Sequence, residues 1–254
     1  MKDEICTVVE KYPIQKKYFL LKIHAQFISR QAKPGNFVMI RASSTLEPLL
    51  KRPFGIFDAI PPHIWIYFER VGRGTRLISE LNPNNKISIL GPLGNSFPQL
   101  KEQKILGIAG GRGIAPIHFA IKEYLKNNKV KLVYGAKSKE DLNLLEKLNN
   151  LKLDELILYT DDGSIGKKGV ATIDIREIIR QNRINVTVSC GPDDMFKTLY
   201  QNTRNVKTTH YVSLEALMGC GFGICHSCAV KTRQHGYKKV CSDGSIFEID
   251  EIAW

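Results

Sequence analysis

The chain has 254 residues, 43% of them hydrophobic, which is enough for two domains with their own cores and a small appendage. Its formal charge of +12 comes from scattered lysines and arginines, with no long cationic run or RNA-binding motif, and so argues for solvated surface rather than nucleic acid. No apolar stretch is long enough to cross a bilayer and no secretory segment is seen, so a cytoplasmic protein without a membrane partner is expected.

Residues 1 to about 98 read as short β-rich segments, CTVVE, YFLLKI, NFVMIRA, HIWIYFE and KISIL, separated by proline, glycine and asparagine turns. Such spacing predicts a small antiparallel barrel. Basic residues outnumber acidic ones fourteen to seven in residues 1–100, against 23 to 18 afterwards, which suits an anionic cofactor or acidic partner in the first part. Three stretches there are candidate ligand loops: KRPFGIFD at 51–58, VGRGT at 71–75 and GPLGNSF at 91–97. Arg52 has a guanidinium that can hold a pyrophosphate through paired hydrogen bonds, and Phe54 has a ring that can cover an isoalloxazine or adenine. A surface ion pair and a barrel-core phenylalanine fit the same two residues equally well. Gly74 and Thr75 offer backbone and hydroxyl donors to the same phosphates, or form a simple turn.

From Lys104 the pattern changes. The apolar strands KILGIAG, VKLVYGA, ELILYT and VTVSCG alternate with helical stretches near 115–127, 139–149, 173–182 and 192–203, which predicts a parallel sheet flanked by helices. AGGRGIAP, at 109–116, follows the first of these strands and opens a helix. Gly110, Gly111 and Gly113 let backbone approach a pyrophosphate at the helix N-terminus, although glycines at such a turn also serve conformation alone. CGPDDM, at 190–195, ends another strand where ligands of open α/β sheets settle. Cys190 and Gly191 are therefore candidates to face a nicotinamide, with a buried small side chain as the alternative for Cys190.

The last segment, from about Tyr211, is too short for a core of its own. Cys220, Cys225, Cys228 and Cys241 are separated by four, two and twelve residues, a spacing suited to a [2Fe-2S] cluster. The glycine-rich GCGFGICHSC lets backbone N–H groups turn toward sulfur. A structural zinc also takes four thiolates, but usually from two close cysteine pairs. A disulfide framework is disfavoured by six cysteines in so long a chain.

Taken in order, RPFGIFD, VGRGTRLISEL, GPLGNSF, AGGRGIAP, YGAKSKEDL, TDDGSIGKKG, CGPDDM, SLEALMGCGFGICHSC and KKVCSDGSIFEIDEIAW resemble the electron transfer subunits of NAD-dependent dihydroorotate dehydrogenases of the B type, a branch of the ferredoxin reductase family. The resemblance spans essentially the whole chain. It implies an FAD-binding β-barrel over residues 1–98, an NAD-binding α/β domain over 99–210 and a [2Fe-2S] lobe over 211–254. It places Arg52, Pro53, Phe54 and Gly55, the strand Tyr67, Phe68 and Glu69, and Gly74 with Thr75 at FAD, and Gly110, Gly111, Cys190 and Gly191 at NAD. Cys220, Cys225, Cys228 and Cys241 are the implied cluster ligands.

The implied activity serves pyrimidine biosynthesis. The FMN of a catalytic partner is reduced by dihydroorotate, electrons pass through [2Fe-2S] to FAD, and hydride reaches NAD+. A heterotetramer of two copies of each subunit is expected. No general acid or base is expected in this chain, since carbon-hydrogen cleavage belongs to the partner. Two departures from the family pattern stand out: Gly55, where relatives carry serine or threonine, and Ala109, where the nucleotide loop usually begins with glycine. Two other readings are an FAD and [2Fe-2S] subunit of a hydrogenase or ferredoxin-NADP reductase complex, and a zinc-bearing binding module. Lys137 and Lys139 suit a 2′-phosphate, whereas Asp161 or Asp162 would oppose one, so NAD and NADP both remain open.

Overall fold

The longest strand organises the first half of the molecule. In the computed structural model, which describes residues 1–15, 17–42, 47–234 and 236–254, β1 (Lys2–Gln15) pairs along its two halves with different neighbours. Around it are β2 (Tyr18–His24), α1 (Gln26–Gln31), β3 (Phe37–Arg41), β4 (Arg52–Gly55), β5 (Asp58–Ile60), β6 (His63–Glu69), α2 (Arg73–Glu80) and β7 (Lys86–Leu93). The strands form one antiparallel sheet in the order β4-β3-β7-β1-β2-β6-β5. Strand β7 alternates buried and half-buried residues with period two, as a sheet packed on one face requires. The sheet curls so that Phe54 of β4 meets Phe68 of β6 edge-on, ring centres 5.7 Å apart, which makes it the expected barrel. Ile28 of α1 is fully buried. Helix α2 begins inside VGRGT, the stretch at 71–75 expected from sequence to be a ligand loop.

The second sheet comprises β8 (Lys104–Gly110), β9 (Lys129–Ala136), β10 (Glu155–Thr160), β11 (Lys167–Lys168), β12 (Val186–Cys190) and β13 (Thr209–Ser213). These are parallel in the order β11-β10-β9-β8-β12-β13. Its helices are α3 (Ile114–Tyr124), α4 (Leu145–Asn149), α5 (Ile175–Asn182) and α6 (Asp193–Thr203). The interior of β8 and all of β12 are buried, as expected for strands covered on both faces. The helix expected over 139–149 is a 3-10 turn at Lys139–Asp141 followed by the short α4. The ribbon of β14 (Ala229–Lys231) and β15 (Tyr237–Lys239) follows, then β16 (Ile246–Glu248), which joins the edge of β13 antiparallel.

The described residues form two compact units where the sequence reading has three segments. One contains residues 1–96, 215–230 and 237–245; the other contains 97–214, 231–236 and 246–254. The C-terminal segment cannot bury a core by itself, and it is divided between the cores of the other two. Among the described residues no helix is long and apolar enough to cross a membrane.

Candidate functional site

Strand β4 begins with Arg52, and its pairing with β3 sets Arg52 opposite Ile40, Pro53 opposite Met39, Phe54 opposite Val38 and Gly55 opposite Phe37. The Arg52 side chain lies against the first turn of α2, where a Cβ on Gly74 would come 2.9 Å from Arg52 Nε and 3.1 Å from its Cγ. Glycine is what leaves the guanidinium that space. The first turn of α2 carries no acidic side chain, and its leading N–H groups have no acceptor within the helix. Together with Arg52 they form a cradle whose chemistry fits a pyrophosphate. Thr75 differs from the expected hydroxyl donor. Its Oγ1 accepts from the N–H groups of Val71 at 2.9 Å and Gly72 at 3.0 Å and donates to Gly72 O at 3.1 Å, so the hydroxyl caps the helix.

Tyr67, Phe68 and Glu69 close β6. Tyr67 stacks on Tyr18 with ring centres 5.9 Å apart, and Phe68 stacks on Phe19 at 5.6 Å. Phe54, Tyr67 and Phe68 are all buried, and Phe54 packs edge-on against Phe68. Glu69 pairs with Lys17 at 2.8 Å.

The cysteine segment is seated on this same barrel. Gly221, at φ +82°, approaches β3 so closely that a Cβ would sit 2.6 Å from Met39 Cγ. Met39 is the partner of Pro53, so the cysteine loop packs on the strand that pairs with RPFG. The thiols approach in two pairs. Cys228 and Cys241 are buried with sulfurs 3.2 Å apart. Cys220 N–H points at Cys225 Sγ at 3.4 Å, while the N–H groups of Cys225 and Phe222 each point at Cys220 Sγ at 3.5 Å. Ser227 Oγ lies 3.1 Å from Cys225 Sγ and accepts from Gly219 N–H at 2.9 Å. The hydroxyl and N–H of Ser227, then Cys220, draw the Cys225 thiol down to about 6, whereas burial pushes Cys241 up to about 12. Among the described residues no three such ligands converge on one point. Thiols split two and two, with N–H groups aimed at sulfur, fit a pair of irons better than a single tetrahedral zinc, which needs all four around one centre.

In the second sheet the chain leaves β8 toward β9 and returns to β12 on the other side, so the strand order reverses between β8 and β12. The candidate nucleotide residues gather at the carboxyl ends of these two strands. A Cβ on Gly110 would meet Pro192 Cδ at 2.9 Å and Met195 Sδ at 3.0 Å, and one on Gly191 would meet Met195 Cε at 2.5 Å and Gly110 Cα at 3.2 Å. Gly113 is used for packing: a Cβ there would lie 2.1 Å from the Cys190 carbonyl oxygen. Gly111, at φ +52°, faces open space and is the glycine placed to admit a phosphate. Cys190 is fully buried at the end of β12, consistent with the packing alternative for its side chain. At the ends of β9 and β10, Asp162 N–H donates to Lys137 O at 3.3 Å, and the Asp162 carboxylate accepts from the N–H and hydroxyl of Ser164. Gly219 was expected from sequence as one of the glycines at the cysteines, whereas Ser227 and Met195 stood there only as letters inside CHSC and CGPDDM, because their roles arise from contacts through space.

Residues 215–253 match the iron-sulfur cluster binding domain of dihydroorotate dehydrogenase B, and residues 108–201 match an oxidoreductase NAD-binding domain. The chain is 35% identical over 260 residues to the dihydroorotate dehydrogenase B (NAD(+)) electron transfer subunit of Geobacillus sp. strain WCH70, covering 99% of both chains. Its identity to the subunit of the same name from Fusobacterium nucleatum subsp. nucleatum is 33%, again over 99% of both. Among solved structures, a chain of the NADH-dependent reduced ferredoxin-NADP oxidoreductase superposes with a TM-score of 0.85 at 29% identity, covering 98% of this chain and 89% of that one. The Neisseria gonorrhoeae ferredoxin NADP+ reductase, solved with FAD and NADP, gives 0.66 at 14% identity over 81% and 92%, a likeness of fold.

Proposed function

Because this chain belongs to the family of dihydroorotate dehydrogenase B electron transfer subunits, we propose that it receives electrons from a dihydroorotate-oxidising catalytic partner and delivers them to NAD+, in pyrimidine biosynthesis. It is a flavin and iron-sulfur oxidoreductase subunit with FAD, a [2Fe-2S] cluster and NAD as cofactors. When bound, the cluster and flavin supply the exchange between single electrons and the electron pair that nicotinamide takes up.

The residues divide the remaining work. Arg52 and the start of α2 hold the flavin pyrophosphate, with Gly74 keeping the guanidinium in place. Pro53 and Gly55, together with the strand Tyr67–Glu69, form the wall for the flavin ring. Cys220 and Cys225 bind one iron while Cys228 and Cys241 bind the other, and the N–H groups of Cys220, Phe222 and Cys225 stabilise the anionic sulfurs. Gly110, Gly111 and Gly191 admit the dinucleotide where the strand order reverses. No side chain here acts as general acid or base. A catalytic subunit carrying FMN, assembly as two copies of each subunit, and a cytoplasmic location belong to the same proposal.

The observation that carries the reading is a loop bearing two thiol pairs whose Gly221 packs against Met39 of β3, the strand that pairs with the RPFG motif. The test is an assay of this chain mixed with a dihydroorotate dehydrogenase catalytic subunit, in which dihydroorotate and NAD+ should yield orotate and NADH. Failure to couple, alongside normal NADH oxidation with ferredoxin, would move the chain to the ferredoxin-NADP reductase reading, which the 29% identical structural relative favours.

A further inference from the structure

At the other end of β6, about 14 Å from Tyr67 along the strand, two histidines face each other across the β2–β6 ladder. His24 is the register partner of His63. Ala25 N–H donates to Pro62 O at 3.0 Å, so the next pair along is a hydrogen-bonded one. His24 and His63 therefore occupy a non-hydrogen-bonded pair, the position where facing side chains of an antiparallel ladder come closest. Their ring centres are 5.8 Å apart with planes at 79°. His24 is exposed and His63 half-buried.

We propose that His24 and His63 form a surface site for a borderline divalent transition-metal ion, of the class of Cu2+, Ni2+ and Zn2+, with water completing its coordination. A tetrahedral ion about 2.0–2.1 Å from one nitrogen of each imidazole sets the ring centres roughly 5 Å apart. Small rotations of the two side chains close the gap from 5.8 Å. Lys22 in the neighbouring row opposes a cation as it opposes protonation of His63, and Glu10, paired with Lys22 at 2.9 Å, offsets part of that charge. Partial burial, Lys22 and His24 all hold His63 below its usual pKa, which favours the neutral imidazole that metals bind. Imidazole-only ligation selects this class of metals over Mg2+ and Ca2+, and the order of affinity should be Cu2+ above Ni2+ and Zn2+.

The site reports its own occupancy, since the His63 and Trp65 rings are 6.0 Å apart and a paramagnetic ion beside His63 quenches Trp65. Untagged protein carrying its flavin and cluster should be titrated with Ni2+ by calorimetry, with indole fluorescence followed in parallel. Expected is one equivalent bound with quenching, weakened at least tenfold in both His24→Ala and His63→Ala. Trp65→Phe should keep the binding and lose the quenching. Equal binding by wild type and both histidine variants, or binding that leaves Trp65 unquenched, overturns the proposal.

Discussion

Arg52 and Gly74 share so little space that each constrains the other, and this contact separates two roles within one motif. Replacing Gly74 by alanine would place a methyl group 2.9 Å from Arg52 Nε, so the guanidinium must move while the barrel core is untouched. Arg52→Ala removes charge-assisted hydrogen bonds worth about 1.5–3 kcal/mol, so FAD affinity should fall roughly ten- to hundredfold, and Gly74→Ala should approach that loss. Thr75→Val should instead cost about 1 kcal/mol of stability through the lost cap and leave flavin content near wild type. Flavin retention on gel filtration and urea unfolding together distinguish these outcomes; loss of FAD in Thr75→Val at unchanged stability would restore the hydroxyl as a ligand. Gly55 offers no side-chain hydroxyl where relatives carry serine or threonine. Gly55→Ser should shift the flavin potential by tens of millivolts, because one net hydrogen bond is worth about 0.5–1.5 kcal/mol. Identical potentiometric curves would mean that no such contact forms.

At the scale of elements, the strands were legible wherever burial imposes a period. The alternation of β7 and the unbroken apolar runs of β8 and β12 follow directly from coverage on one face or two. Helix α2 was hidden because it spans eight residues, begins after a glycine and takes its cap from Thr75 inside its own first turn, so no preceding Ser or Asp announces it. Strand β13 was hidden because THYVS is short and carries a histidine, and that histidine is informative. His210 is buried beside Thr187, its Nδ1 2.8 Å from the hydroxyl, while its Nε2 has no partner among the described residues. Burial, only partly opposed by Asp250, brings His210 down to about 4. Between that value and the ordinary value near 6.5 the unfolded chain binds more protons than the folded one, so stability should fall as pH drops through this window, by up to about 3 kcal/mol. Urea unfolding from pH 7 to pH 4 should show a shallower decline in His210→Gln; parallel slopes would remove His210 as the cause. Glycine roles in the nucleotide loop were equally hidden, because sequence does not distinguish ligand approach from packing. Gly113→Ala, with a methyl 2.1 Å from the Cys190 carbonyl oxygen, should cost about 3 kcal/mol or more, whereas Gly111→Ala, in open space at positive φ, should cost about 1–2 kcal/mol. Calorimetric unfolding of the two variants provides the comparison.

For the whole molecule, the division of the chain permits the electron path to be cut without unfolding either unit. The four cysteines and the RPFG strand belong to one unit, and the nucleotide loops belong to the other. Cys225 is exposed, so Cys225→Ser removes a thiolate without opening a cavity in the barrel. Purified alone, the wild-type chain should reduce an artificial dye with NADH but should not oxidise dihydroorotate, since it contains no residue assigned to the pyrimidine. Cys225→Ser should keep most of the NADH-to-dye rate, which needs only FAD and the nucleotide site. It should lose iron and the visible absorption of the cluster, and it should abolish dihydroorotate-dependent NAD+ reduction when the catalytic partner is added. Cys6→Ser and Cys190→Ser should retain iron, as both side chains lie buried within cores. A Cys225→Ser protein that lacks iron yet couples dihydroorotate to NAD+ at the wild-type rate would show that electrons bypass the cysteine loop, and it would separate the family's cofactors from the path proposed for them here.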